Sequence, residues 1–297
     1  MVLFADKGTP YHIDKSKGEM GDLTKHHHPC SSAPIGIFDS GVGGISILKE
    51  IRKQLPHENL VYIADSKNAP YGDKSRQFIQ QQSLRLANFL IHQQGSKALV
   101  VACNTATTEA IQFLREQLAV PVVGVEPAIK PAAEISNNKV IGILATHRTI
   151  KSRRLQDLIE LYANDCTVIA KACPGLVEAV EAEHASHTID ELIRRYTDPM
   201  IRQQADTIVL GCTHYPFLSD KIKAMTGNNI TILETGEPVA TQLQRILHQH
   251  RINACSNQPA DKQRADTRFY SSLNDGKHHQ VIHKLWGSEV AINDLPT

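Results

Sequence analysis

From residue 34 onward, short unbroken apolar runs alternate with longer stretches in which apolar positions recur every three or four residues. The runs at 35–38, 60–64, 98–102 and 122–125 are rich in Val and Ile and bounded by Gly, Pro, Asn or Asp. Runs without a polar alternate position belong to strands buried on both faces, as in a parallel sheet. The stretches between them, 45–55, 77–92 and 107–118, carry apolar residues at helical spacing. The predicted class is therefore α/β.

The same succession then returns. Apolar runs at 140–144, 168–170, 207–210 and 230–233 enclose helical patterns from about 151 and across 176–204, and a further amphipathic helix covers 239–250. Ile35-Gly36-Ile37-Phe38 aligns with Ile141-Gly142-Ile143-Leu144, Cys103-Asn104-Thr105 with Cys212-Thr213-His214, and Glu126-Pro127-Ala128 with Glu237-Pro238-Val239. Landmarks displaced by 106, 109 and 111 positions (35 to 141, 103 to 212, 126 to 237) in one order predict two similar α/β halves. The expected organisation is an N-terminal extension at 1–33, a first domain at 34–126 completed by 237–250, and a second domain at 127–236. The linker would fall near 127–139. The polar, His-bearing 251–297 tail is a further candidate for completing the first domain; its own pattern assigns it no role.

Composition narrows the functional classes. The 297 residues are 41% hydrophobic and 21% charged, ordinary for a globular chain. With 32 Lys plus Arg against 31 Asp plus Glu, the net charge of +1 supplies no general field for nucleic acid or anionic lipid. No apolar run approaches the ~20 residues needed to cross a bilayer, and the start lacks a signal-peptide pattern, so a soluble cytoplasmic protein is expected. Six cysteines without a C-x-x-C pair make no disulfide framework and read as buried residues or reactive thiols. His26, His27, His28 and Cys30 are a poor metal site, because adjacent residues on an irregular segment do not converge.

Cys103 and Cys212 each end a predicted buried strand and precede polar residues able to open a helix. Ligands of open α/β sheets bind at the carboxyl ends of strands, and helix N-terminal amides favour thiolates below the free pKa of about 8.5. If the halves face each other, one thiol stands on each side of a small ligand, an arrangement suited to removing a proton from one face of a carbon and returning one to the other. A cysteine protease with His214 and Asn104 stays open as an alternative, although it leaves the second thiol unexplained. The turn Asp39-Ser40-Gly41-Val42-Gly43-Gly44 lacks the Walker and G-x-G-x-x-G spacings and suits a ligand carboxylate at a helix N-terminus. Asp39 could meet an ammonium group, assist a thiol or cap the helix. The turn Pro70-Tyr71-Gly72 approaches the same strand ends, Thr146 follows the strand equivalent to that preceding Asp39, and Glu181 taken alone reads as a solvated helix charge.

Together the segments 35–44, 70–72, 103–105, 211–214 and 234–236 resemble the glutamate racemases, over about residues 34–250. The resemblance implies two pseudo-symmetric α/β domains with mainly parallel sheets and an active site in the cleft between them. It further implies cofactor-independent interconversion of L- and D-glutamate, supplying D-glutamate for peptidoglycan. Cys103 would take the proton of D-glutamate and Cys212 that of L-glutamate, assisted by Asp39 and His214, with Glu181 as the histidine's acidic partner. Substrate contacts would come from Asp39, Ser40, Tyr71, Gly72, Asn104, Thr105, Thr146, Thr213 and His214. Aspartate racemases of the superfamily usually carry Glu in place of His214, which favours glutamate. No metal or nucleotide is implied, nor any nucleic-acid or membrane partner. The chain would act as a monomer or homodimer, and its N-terminal extension resembles that of members activated by a cell-wall precursor.

Overall fold

Every strand predicted from an apolar run forms, and the strands sort into two parallel sheets. The computed structural model describes residues 31–183, 185–254 and 265–296; His26, His27, His28 and Cys30 lie outside them. In the first half β1 (Ile35–Asp39), α1 (Ile45–Gln54), β2 (Leu60–Ala64), α2 (Arg76–Asn88), β3 (Ala98–Val101), α3 (Asn104–Gln117) and β4 (Val122–Gly124) follow one another. In the second, α4 (Ile129–Ile135) leads into β5 (Val140–Ala145), α5 (His147–Ile150), α6 (Arg153–Tyr162), β6 (Thr167–Ala172), α7 (Leu176–Glu181), α8 (Ser186–Arg202), β7 (Thr207–Gly211), α9 (Ser219–Thr226) and β8 (Thr231–Leu233). The strand orders are β2-β1-β3-β4 and β6-β5-β7-β8. Ile35 pairs with Leu60 and Ala98, and its counterpart Ile141 with Val168 and Thr207. Thus the repeat in sequence is a repeat in topology. The central strands β1, β3 and β7 are buried at every residue, because helices cover both faces; this is why their sequences show no polar alternation.

Several boundaries differ from expectation for identifiable reasons. The helix expected from 107 begins at Asn104, with Cys103 at its N-cap; its first turn buries Asn104, Thr105 and Ala106, polar or small residues that show no apolar period. The expected helix near 151 is preceded by the single turn α5, capped by the Thr146 side chain. The 127–139 interval is not an open linker: Ile129, Ala132 and Ala133 of α4 pack with Leu155 and Leu158 of α6 and with Ile141 and Ile143.

The helix after the second half, α10 (Gly236–Gln249), packs on α1. The tail then supplies β9 (Thr267–Ser271), α11 (Gly276–Trp286) and β10 (Ile292–Asp294). β9 pairs in parallel with β2 and β10 with β9, extending the first sheet to six strands. Its sequence pattern is faint because β9 fully buries only Phe269 and Ser271. Among the described residues no helix is long and apolar enough to cross a membrane.

Candidate active site

The carboxyl ends of the paired central strands converge on one narrow pocket. Its wall is formed by Ser40 after β1, Cys103, Asn104 and Thr105 after β3, Thr146 after β5, and Cys212, Thr213 and His214 after β7, together with Pro70, Tyr71, Gly72 and Val177. The cavity is about 10 Å³, room for roughly one water molecule. Asp39 and Glu181 stand behind the wall. Pro70 and Val177 are lining residues that the sequence reading did not assign: Pro70 reads as turn punctuation, and Val177 as an ordinary apolar position of a helix.

Cys103 occupies the N-cap of α3, where its Sγ accepts from the Ala106 N–H at 3.4 Å and lies 3.6 Å from Ser40 Oγ. The helix-terminus argument expects a lowered thiol pKa. The structure gives the opposite: burial, reinforced by the nearby Asp39 charge, pushes Cys103 well up, and the Ala106 and Ser40 contacts offset only part of this. A single amide cannot replace the solvation that a thiolate loses in a dry pocket.

Cys212 is served by a relay. Its Sγ lies 3.8 Å from His214 Nδ1, and His214 Nε2 lies 2.7 Å from Glu181 Oε1. The His214 side chain is 2% exposed and that of Glu181 15%. Burial alone would lower the His214 pKa, but its bonds to Cys212 and Glu181 hold it well above its usual value. Burial likewise acts to raise Glu181, and the bond and charge of His214 reverse the sign and lower it. The two shifts run in opposite directions, each favouring the charged form of its group. A histidine oriented by a carboxylate on one nitrogen and facing a thiol with the other can pass a proton to or from that sulfur. Glu181 also accepts from the Val42 N–H at 2.8 Å, so a helix charge that reads as solvated is an internal, fully engaged group.

The glycine-rich turn differs in purpose from the cradle expected for a ligand carboxylate. Two of its amides are already occupied by the protein's own carboxylates, Val42 by Glu181 and Gly44 by Asp39 Oδ2 at 2.8 Å. Its glycines allow close approach: a Cβ at Gly41 would lie 1.8 Å from Glu181 Oε1, and one at Gly43 would lie 2.3 Å from His214 Nδ1. Asp39 is fully buried. Burial lifts its pKa from 3.8 to about 6 despite the His214 charge and the Gly44 amide, and the Thr213 hydroxyl donates to its Oδ1 at 3.5 Å.

The remaining wall is polar and partly uncommitted. Neither amide atom of Asn104 has a hydrogen-bond partner, although both are buried, a condition native proteins tolerate chiefly where another molecule completes the bonds. The Tyr71 hydroxyl, by contrast, donates to Asp65 at 2.7 Å. Thr105 of the first half and Thr146 of the second meet hydroxyl to hydroxyl at 3.0 Å. The site thus holds two thiols, one backed by Asp39 and the other by a His–Glu relay, within a small hydroxyl- and amide-lined space. That is the equipment for moving protons at carbon.

Comparison with known proteins identifies the family. Residues 36–243 match the Asp/Glu/hydantoin racemase family. The chain is 43% identical to the glutamate racemase of Ectopseudomonas mendocina over 265 residues, covering 89% of this chain and 98% of that one. Among solved structures it resembles a glutamate racemase isoform from Bacillus anthracis (TM-score 0.78, 32% identity, 89% of this chain and 97% of the other). It also resembles the Escherichia coli glutamate racemase in complex with L-glutamate and the activator UDP-MurNAc-Ala (TM-score 0.76, 32% identity, 88% and 98%). The chain is an amino-acid racemase and belongs to the Asp/Glu/hydantoin racemase family, within its glutamate racemases.

Proposed function

We propose that this chain interconverts L- and D-glutamate with Cys103 and Cys212 as its two acid/base groups. The observation that carries the reading is the placement of both thiols, from matched strand ends of a repeated fold, in the wall of one pocket. One sulfur, as thiolate, accepts the Cα proton; the electron pair left on Cα is spread into the adjacent carboxylate; the opposite thiol gives its proton to the other face. The thiol and thiolate have then exchanged places, and proton exchange through His214 and solvent resets them. The intermediate carries extra negative charge, so hydrogen-bond donors fixed around the pocket in a water-poor setting contribute most of the stabilisation. Asn104, Thr105, Thr146 and Thr213 are the groups we assign to this, with Ser40, Tyr71 and Gly72 completing the substrate contacts.

Purified protein without added cofactor should therefore racemise glutamate from either enantiomer, followed by polarimetry or chiral chromatography, and should leave aspartate essentially unchanged. Comparable turnover of aspartate would overturn the substrate assignment. The Asp39 carboxylate, as the charged neighbour of Cys103, also sets a pH limb. Because its pKa is raised to about 6, the carboxylate forms as pH rises through that value, and kcat/KM should fall as pH falls through about 6. In Asp39→Asn the limb should vanish and the plateau drop by roughly a hundredfold, the lower end of general acid–base assistance; an unchanged limb would remove Asp39 from the account.

Supply of D-glutamate for peptidoglycan in the bacterial cytoplasm is the corresponding biological role. A cell-wall precursor as activator is supported by the Escherichia coli relative, described as bound to UDP-MurNAc-Ala.

A further inference from the structure

Thr146 and Gly72 bring the second and first halves together along one wall of the pocket, and Arg148, two residues beyond Thr146 in α5, crosses the same seam. Its guanidinium donates through Nη2 to the Lys74 carbonyl, in the loop that follows Gly72, and through Nη1 to Glu109 Oε1 at 3.4 Å. Glu109 lies on α3, the helix capped by Cys103, and is also approached by Arg76 at 3.9 Å. The pair is well shielded, the Glu109 side chain being 14% exposed and that of Arg148 28%, so it escapes much of the screening that weakens surface ion pairs. Thr146, two residues away, is held by its hydroxyl contacts to Thr149 and Thr105, both at 3.0 Å. One planar cation is thus forked between a backbone carbonyl and a carboxylate of the opposite half.

The cavity behind this seam has room for about one water, whereas an amino dicarboxylic acid has ten heavy atoms. Ligand entry therefore requires the halves to part, and on this wall parting breaks the Thr105–Thr146 contact and both Arg148 bonds. We propose that Arg148 is a positioning residue that latches α5 to α3 and the 72–74 loop, setting how often the pocket opens without itself taking part in proton transfer. This rests on the reading of the pocket as the substrate site.

The four cysteines of the described residues make the test internal. Cys103 and Cys212 lie in the pocket wall, Cys173 is buried outside it, and Cys166 is half-exposed. Iodoacetamide labelling of the full chain, resolved by peptide mass spectrometry, then reads pocket opening separately from general loosening. In Arg148→Ala the labelling of Cys103 and Cys212 should accelerate about tenfold, the scale of losing a charge-assisted bond pair. Glu109→Gln, which leaves Arg148 in place but removes its charge partner, should give a smaller rise. Cys166 should keep its native rate and Cys173 should stay protected. Cys103 and Cys212 rates within twofold of native in both variants would overturn the latch, as would Cys173 becoming reactive in step with them. Labelling needs no turnover: a latch that behaves as stated in a chain that fails to racemise glutamate would count against the substrate reading alone.

Discussion

Alanine at either Cys103 or Cys212 is expected to lower the racemisation rate by roughly 10²–10⁴-fold, the contribution of one proton-transfer group, since each thiol supplies a step that no neighbour can take over. The losses should not be additive: once one thiol is gone the two-face reaction has failed, and removing the second adds little. What remains in each single variant should be one-faced. With Cys103 replaced, Cys212 and its His214–Glu181 relay are intact, so slow exchange of the L-glutamate Cα proton with solvent should persist without inversion. With Cys212 replaced, the residual exchange should belong to D-glutamate. Chiral chromatography for inversion and proton NMR in D2O for exchange check both halves of this expectation, and near-native racemisation by either variant would remove the two-thiol mechanism.

Gly43→Ala should be nearly as damaging, although residue 43 carries no chemistry. The added methyl would sit 2.3 Å from Nδ1 and 2.6 Å from Cε1 of His214, far inside van der Waals contact. His214 is almost completely buried, and a shift of the ring away from residue 43 disturbs its contacts with Glu181 at 2.7 Å and Cys212 at 3.8 Å. Loss of one oriented acid–base group is worth roughly 10²-fold or more, and kcat should fall by about that factor. Gly276→Ala is the matched control, because a Cβ there meets nothing within 4 Å; its activity should be near native. Equal activity of the two variants would show that the relay tolerates displacement.

How far the sequence carries can be traced through particular residues. The central strands are legible because burial on both faces leaves only apolar residues in runs such as 98–102, and the pairing of Cys103 with Cys212 is legible because the repeat holds them 109 positions apart (103 to 212). The C-terminal strand β9 is much less so: Arg268 and Tyr270 point to partly open surroundings, and only alternate residues are deeply buried, so its pairing with β2 is dictated by tertiary context. Glu181 looks like any helix-surface glutamate until folding carries Val42 and His214 against it across 139 and 33 positions of sequence. For the same reason the glycine-rich turn announces an anion but not whose: the amides of Val42 and Gly44 bind the protein's own carboxylates, and an amide's preference for negative charge is indifferent to the source. The raised Cys103 pKa is a further case, since local sequence shows the helix N-terminus while only the assembled pocket shows the desolvation that outweighs it. Arg148 left no trace at all, because a polar residue after a strand carries no sign of the partner half that it will meet.

The central claim, two thiols acting on opposite faces of one carbon, is tested most directly by isotope incorporation during the first few per cent of turnover in D2O. Starting from either enantiomer of glutamate, the inverted product should carry deuterium at Cα, donated by the thiol that faces solvent-exchanged protons, while the unreacted substrate pool keeps its protium. Deuterium appearing in the recovered substrate as fast as in the product, or product that retains the original proton, would mean that a single base serves both faces, and would contradict the account.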